Sequence, residues 1–279
     1  MARRNRPYSL LARFYDQIVP GIPEMNRHAR EKVLRREWPR IGRVLELACG
    51  NGATAVDLAR KGLDVEAIDL SPTFVRAARR RAAAARAKLR VRRGDMRDFR
   101  VERRVDLVLC EFAALNNLAE RRDLARVLRC AARALEPGGL FLFDINTPRS
   151  FQTQMPALMP FKGRGFELLM RGSADADGLR ARLDFDWSLP DRRGRRRARR
   201  RKRETIWHVA WTVAELRRAL RAAGFTAVEV FDGVDVRPRM KGAVRGTDLY
   251  FFARLASRGP ARRPTGGTAA TARASRRSR

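Results

Sequence analysis

The chain has 279 residues, 44% of them hydrophobic, which suits one good-sized α/β domain with insertions. No run of about eighteen apolar residues exists to cross a membrane, and the apolar stretch inside the basic start "MARRNRPYSLLARFYD" is too short for a secretion signal. Three cysteines, Cys49, Cys110 and Cys130, show no CxxC pairing, which argues against a zinc site or a disulfide framework and for a reducing cytoplasm.

The net charge of +32 would suit a nucleic-acid binder, but its distribution weakens that reading. "RRGRRRARRRKR" (192–203) holds ten basic residues and no acid, and 254–279 hold eight more, again with no acid. These two segments carry more than half of the excess. Arginine far outnumbers the six lysines and alanine is abundant, the pairing towards which a GC-rich coding sequence drifts. Solvated charge is therefore favoured over a polyanion site.

In chain order, Glu24 to Trp38 predicts an opening helix. "RVLELACG" reads as a buried strand, and "ATAVDLARKG" as a helix closed by Gly62. "LDVEAIDL" is a second strand, after which Ser71-Pro72 starts a helix in the favoured N-cap–N1 order. "KLRVRRGD", "RVDLVLCEF" and, beyond the turn "EPGG", "GLFLFDIN" supply three more strands, with a helix over Glu120 to Leu135. Strand and helix in alternation predict a parallel sheet covered on both faces, because each crossover is right-handed.

The rhythm breaks after Asn146. "TPRSFQTQMPALMPFKG" leads into "FELLMRG", "LRARLDFDWSL" and "RETIWHVAW", and the middle segment alternates Leu183, Phe185, Trp187 and Leu189 against polar neighbours. This predicts a small antiparallel meander with "DADG" as one turn and the arginine run as the other hairpin tip. A helix, "VAELRRALRAAG", and two closing strands, "AVEVFD" and "DLYFFARL", complete the main sheet, and a disordered tail is expected from Ala256.

Gly50-x-Gly52-x-x-Ala55, with Asp69 ending the next strand, satisfies the loose dinucleotide fingerprint. Glycine admits the ligand, a helix N-terminus favours its negative group, and the acid accepts ribose hydroxyls. That segment alone also suits a nicotinamide enzyme. "RRGDMRDF" shifts the balance: Asp95 and Met96 follow the third strand where an adenine would lie, the carboxylate accepting from its exocyclic amine and the thioether covering the ring.

At this point the chain resembles the class I S-adenosylmethionine-dependent methyltransferases. "ELACGNG", "AIDLS" and "GDMRDF" look like the family's first three motifs, and "DLVLCEFAALNNL" and "ALEPGGLFLFDINTP" like its fourth- and fifth-strand segments. The resemblance implies an α/β, Rossmann-like seven-stranded methyltransferase sheet with a small antiparallel lid inserted after the fifth strand. It implies an N-terminal cap segment over 1–40, a methyltransferase domain over 41–255 with its lid at about 150–211, and the basic tail at 256–279. It also implies S-adenosylmethionine as cofactor, bound by Ala48, Gly50, Gly52, Asp69, Leu70, Asp95, Met96 and Glu111. Asn51 departs from the family's Thr or Ser, and Ala67 from its Gly.

Signatures of base methylation are missing: "CEFAALNN" stands where an Asp/Asn-Pro-Pro-aromatic segment would follow the fourth strand. With "FYDQI" ahead of the core and a meander behind it, the pattern most resembles small-metabolite methyltransferases, amino-sugar N-methyltransferases among them. The expected activity is methyl transfer to a nitrogen or oxygen of a small molecule in the cytoplasm. The alternatives are an RNA or protein methyltransferase recruited by the arginine-rich segments, and a non-catalytic polyanion-binding protein on the same fold. Nucleic acid is a partner only under those alternatives, no membrane or metal is expected, and the oligomeric state stays open.

For catalysis the expected residues are Tyr15, which the resemblance places beside the sulfonium, Asn117 after the fourth strand, and His208 in the meander as a base. Asn116, Asp144 and Asn146 face the same carboxyl edge of the sheet, where open α/β sheets bind ligands. Trp187, Trp207 and Trp211 are expected to pack the meander.

Overall fold

A computed structural model describes residues 8–191, 199–237 and 244–257. Parallel strands β1 (Arg43–Leu47), β2 (Asp64–Asp69), β3 (Leu89–Arg93), β4 (Val105–Cys110) and β5 (Leu135–Asn146) form most of one sheet. Strands β10 (Phe225–Asp232) and β11 (Asp248–Leu255) complete it in the order β10-β11-β5-β4-β1-β2-β3. β11 runs antiparallel to both neighbours, as expected of a closing hairpin. The central strands are continuous apolar runs because both faces are covered. Helix α5 (Asp123–Ala134) and α7 (Val213–Ala222) pack on one face, while α2 (Ile22–Val33) and α3 (Ala53–Arg60) pack on the other.

Strands β6 (Leu158–Gly163), β7 (Phe166–Ala174), β8 (Arg180–Pro190) and β9 (Arg199–Val209) form a separate antiparallel sheet. Phe166, Leu168, Phe185, Trp187, Leu189 and Ile206 turn one face of it towards Leu11, Phe14 and Ile18 of α1 (Leu11–Ile18). This lid and the helix that follows β2 therefore hold α1 between them.

Four expectations change. The opening segment holds a helix of its own, α1, and the next helix ends at Val33 rather than Trp38, where Trp38-Pro39 starts a separate 3₁₀ turn. Part of the supposed arginine tip is strand: Arg199 to Arg203 pair in register with Pro190 to Asp186. An edge strand tolerates such a charged run, and its charges discourage pairing with another chain. The first part of that run, 192–198, and the tail from residue 258 lie outside the described residues. Only Trp187 packs the meander as expected; Trp211 enters the main core and Trp207 stands 56% exposed beneath Arg182. Finally, "EPGG" is a kinked start of β5, with the pairing shifted between Val105 and Leu107.

Candidate active site

All five parallel strands end at one edge, and the loops there carry the candidate residues. After β1 the chain reverses through left-handed Ala48, Gly50 and Gly52 before entering α3. Asp69, at the end of β2 and nearly buried, accepts from the Gly50 amide at 2.9 Å and the Ser71 amide at 2.8 Å. Burial raises its pKa and the two amides partly offset this. The carboxylate is thus fixed across the glycine turn, with lone pairs remaining for hydroxyls.

Leu70 is 56% exposed and Phe112, just past β4, is 39% exposed. They are two of the five large apolar side chains left to solvent among the described residues, and both stand at this edge. Met96 packs partly against the main core. Asp95 is held by Arg97, which donates to both its oxygens at 2.7–3.2 Å and keeps its pKa low.

Glu111 is placed differently from expectation. Its carboxylate is buried and taken up by Arg30 Nη1, 2.7 Å from both oxygens, and by Thr54 Oγ1 at 3.1 Å. It orients α2 and α3 beneath the turn rather than facing the open side.

The roof comes from α1. Tyr15 packs edge-on against Phe74 at 5.2 Å and Phe112 at 6.3 Å, and Tyr8 packs against Phe74 at 6.3 Å. The Tyr8 hydroxyl donates to Asn117 Oδ1, so Asn117 serves the roof. Both phenols are held protonated, chiefly by burial; nearby charges, Asp69 among them for each, add to this. The helix is clamped at both ends. Glu204 of β9 accepts from Ser9 Oγ and the amides of Leu10 and Leu11 at 2.7, 2.8 and 3.1 Å, which caps the helix from another element. Asp16 binds Arg81 at 2.7 Å and accepts from Asn51 Nδ2. The departure at Asn51 thereby ties the roof to the glycine turn.

Sequence reasoning missed Tyr8, Glu204 and Glu46. Glu46 lies inside an apolar strand, yet its carboxyl is buried with Oε2 unpartnered, and burial together with Glu111 pushes its pKa well up. The aromatic walls and the exposed Leu70 and Phe112 fit a nucleoside bearing a sulfonium cation. Asn116 is structural: its amide bridges the Asn146 backbone and the Val209 carbonyl.

His208 stands apart, with no hydrogen bond or ring contact to Tyr15 or Asn117 among the described residues. It packs against Phe151 with both ring nitrogens unpartnered, and burial lowers its pKa to about 4. A depressed imidazole costs stability as pH falls from about 6.5 to about 4, because the unfolded chain takes the proton first. His208→Phe should therefore remove roughly 1–2 kcal/mol of acid sensitivity at about pH 5, seen as a smaller drop in Tm between neutral and acid buffer. Loss of turnover with unchanged cofactor affinity would instead place His208 in the reaction.

Residues 44–139 match the methyltransferase domain family. In that segment and in its strand order the chain is similar to the S-adenosylmethionine-dependent methyltransferases. It resembles the amino-sugar N-methyltransferases: a dTDP-3-amino-3,6-dideoxy-α-D-glucopyranose N,N-dimethyltransferase of Streptomyces fradiae is 29% identical over 188 residues, 65% of this chain and 72% of that one. A ubiquinone biosynthesis O-methyltransferase of Xanthomonas axonopodis is 33% identical over 51% of this chain, which spans 61% of that enzyme, and the matching share of Bacillus subtilis YqeM is 56%. Among solved structures, a sugar N-methyltransferase from Streptoalloteichus superposes with a TM-score of 0.66 at 25% identity, covering 92% of this chain and 96% of that one. A Clostridium acetobutylicum methyltransferase shares the fold at a TM-score of 0.72 and 17% identity, covering 90% of this chain and 99% of that one.

Proposed function

We propose that this protein transfers a methyl group from S-adenosylmethionine to a nitrogen or oxygen of a small-molecule metabolite in the cytoplasm. The observation that carries this reading is the roof. With α1 clamped between lid and glycine turn, the packed rings of Tyr8, Tyr15, Phe74 and Phe112 lie close to Asp69, a cover that suits a small acceptor better than a polymer strand. Relatives bearing names of amino-sugar and ubiquinone-precursor enzymes support a small acceptor. Three buried free thiols agree with a reducing compartment.

When bound, the cofactor supplies an electrophilic methyl on a sulfonium. Asp69 would orient the ribose, while Leu70, Met96 and the Asp95 loop would bound the adenine. Tyr15, a neutral phenol, directs its oxygen dipole without acting as a base, and the closed roof excludes water. Orientation carries most of such a displacement.

The test is incubation with methyl-labelled cofactor and separate acceptors: a nucleotide-linked amino sugar, a catechol, tRNA and a basic protein. Label in a small acceptor is expected; label only in RNA or protein overturns the proposal. Two variants should then divide by kinetics. Tyr15→Phe should lower kcat about tenfold or more with little change in cofactor KM. Asp69→Ala should raise cofactor KM by about tenfold to a hundredfold, the loss of hydrogen bonds to a charged group. Equal effects on both constants in both variants would contradict the division.

A further inference from the structure

Strand alternation puts three acids on one face of the main sheet near its carboxyl edge. Glu46 shares its face with Val44, Glu111 with Leu107 and Leu109, and Asp144 with Leu140 and Leu142, all packed in the cluster beneath α2 and α3. Two buried or nearly buried arginines answer them. Arg30 is committed to Glu111. Arg237, which follows the short helix α8 (Gly233–Val236), is divided among the Tyr250 hydroxyl at 2.7 Å, Asp248 at 3.4 Å and Asp144 at 3.5 Å.

Asp144, like Glu46, is left incomplete. It is 2% exposed; Oδ2 accepts from the Ala113 amide at 2.9 Å, whereas Oδ1 has no partner. A buried carboxylate oxygen without a donor is costly, so one is expected from a ligand. The Ala113 bond also locates it. Phe112 and Ala113 are consecutive left-handed residues that bend the loop over β4, and Phe112 forms one wall against Tyr15. Burial chiefly pushes the Tyr15 phenol up, and the charges of Asp16, Asp69, Asp144 and Glu46 add to this, so the ends of β2 and β5 both lie near it.

We propose that Asp144 is the carboxylate that receives the acceptor: its free oxygen holds a substrate ammonium, takes one proton from it and so frees the nucleophile, which makes the acceptor atom an amine nitrogen. This deepens the methyltransferase reading above and rests on it. The ammonium gives one proton to Oδ1. The nitrogen lone pair then bonds to the methyl carbon as the carbon–sulfur pair departs to sulfur, leaving a neutral thioether. The product leaves as the methylated ammonium, and Asp144 returns its proton to water. A hydroxyl acceptor brings no positive charge to offset the surplus acids, whereas an ammonium does.

The groups around Asp144 support the role. Burial raises its pKa to about 7; Arg237 opposes this, Glu111 and Asp248 add to it, and the Ala113 amide opposes it. Tyr15, Tyr250 and Cys110 face it as neutral groups whose own pKa values are pushed up. A base poised near neutrality suits proton transfer from an amine.

Sinefungin provides a probe that needs no identified substrate, since it carries an amine where the cofactor carries its transferable methyl. Its affinity is compared with that of S-adenosylhomocysteine, which lacks any group there, by calorimetry on the full chain. The wild type should prefer sinefungin, and the preference should grow between about pH 6 and pH 8 as Asp144 ionises. Asp144→Asn should lower sinefungin affinity about tenfold, leave S-adenosylhomocysteine within about twofold, and flatten the pH profile. If both ligands bind but the ratio is unchanged by Asp144→Asn, or moves only with Glu46→Gln, the assignment of Asp144 is overturned while the methyltransferase reading stands. If neither ligand binds the wild type, the reading beneath it fails as well. Should Asp144→Asn not fold, the wild-type pH profile decides alone: a flat ratio overturns the proposal.

Discussion

Replacing Arg30 with leucine should destabilise the protein by about 3–5 kcal/mol, the scale for breaking a buried ion pair from one side. The guanidinium is 1% exposed and lies 2.7 Å from both Glu111 oxygens and 3.5 Å from Asp57. Glu46, whose carboxyl is already raised by burial and by Glu111, also draws on its charge. Without Arg30, two buried acids on neighbouring strands face each other, and they relieve the repulsion only by taking up a proton. The sign follows: a folded-state acid with raised pKa costs stability as pH rises, so the loss should be larger at about pH 8 than at about pH 5. For a chain of this length Tm should fall by roughly 10 °C at the higher pH. Glu111→Gln added to Arg30→Leu should recover part of it. A Tm within about 2 °C of wild type at both pH values would show that the pair contributes little.

What the sequence disclosed and what it hid divide by the range of the interactions. Asp69 was legible because a carboxylate ending an apolar strand, nineteen residues after Gly50, has few structural uses, and its bond to the Gly50 amide confirms the closeness. The edge strands β3 and β10 were legible from the strand–helix rhythm, and the inner strands because burial on two faces writes continuous apolar runs. Glu46 was hidden for the same reason: inside such a run a single acid reads as an exception, and only three-dimensional packing reveals that its oxygen lacks a partner. The roof was half legible. Tyr15 stood out as an aromatic ahead of the core, but Tyr8 depends on a left-handed backbone and on Asn117, over a hundred residues away. Glu204 caps α1 from more than 190 residues away, and no local pattern signals a cap borrowed from another sheet. Arg97 neutralises Asp95 from two positions on, a pairing the motif "GDMRDF" contains but does not declare.

The two glycines of the turn should separate under substitution, with the largest stability loss at Gly52. Its φ is +76°, and an added Cβ would lie 2.7 Å from the Ala78 Cβ and 3.0 Å from the Ala78 Cα, in α4 (Pro72–Ala84). Ala78 is fully buried, so neither helix can yield without moving against the sheet. Gly52→Ala therefore combines left-handed strain of about 1–2 kcal/mol with overpacking of about 1–3 kcal/mol. At Gly50, φ is +53° and the nearest atom to an added Cβ is a Phe74 ring carbon 3.9 Å away. Gly50→Ala carries the strain alone, but its methyl group enters the space a ligand must cross to reach Asp69. Thermal melts and S-adenosylhomocysteine titrations on both variants should dissociate accordingly. Gly52→Ala should lose the greater part of its Tm margin, and affinity with it, because the N-terminus of α3 shifts. Gly50→Ala should lose affinity by about tenfold or more while Tm falls only a few degrees. If Gly50→Ala binds as well as wild type, the glycine there serves the bend alone, and the close approach of a ligand to this turn is refuted.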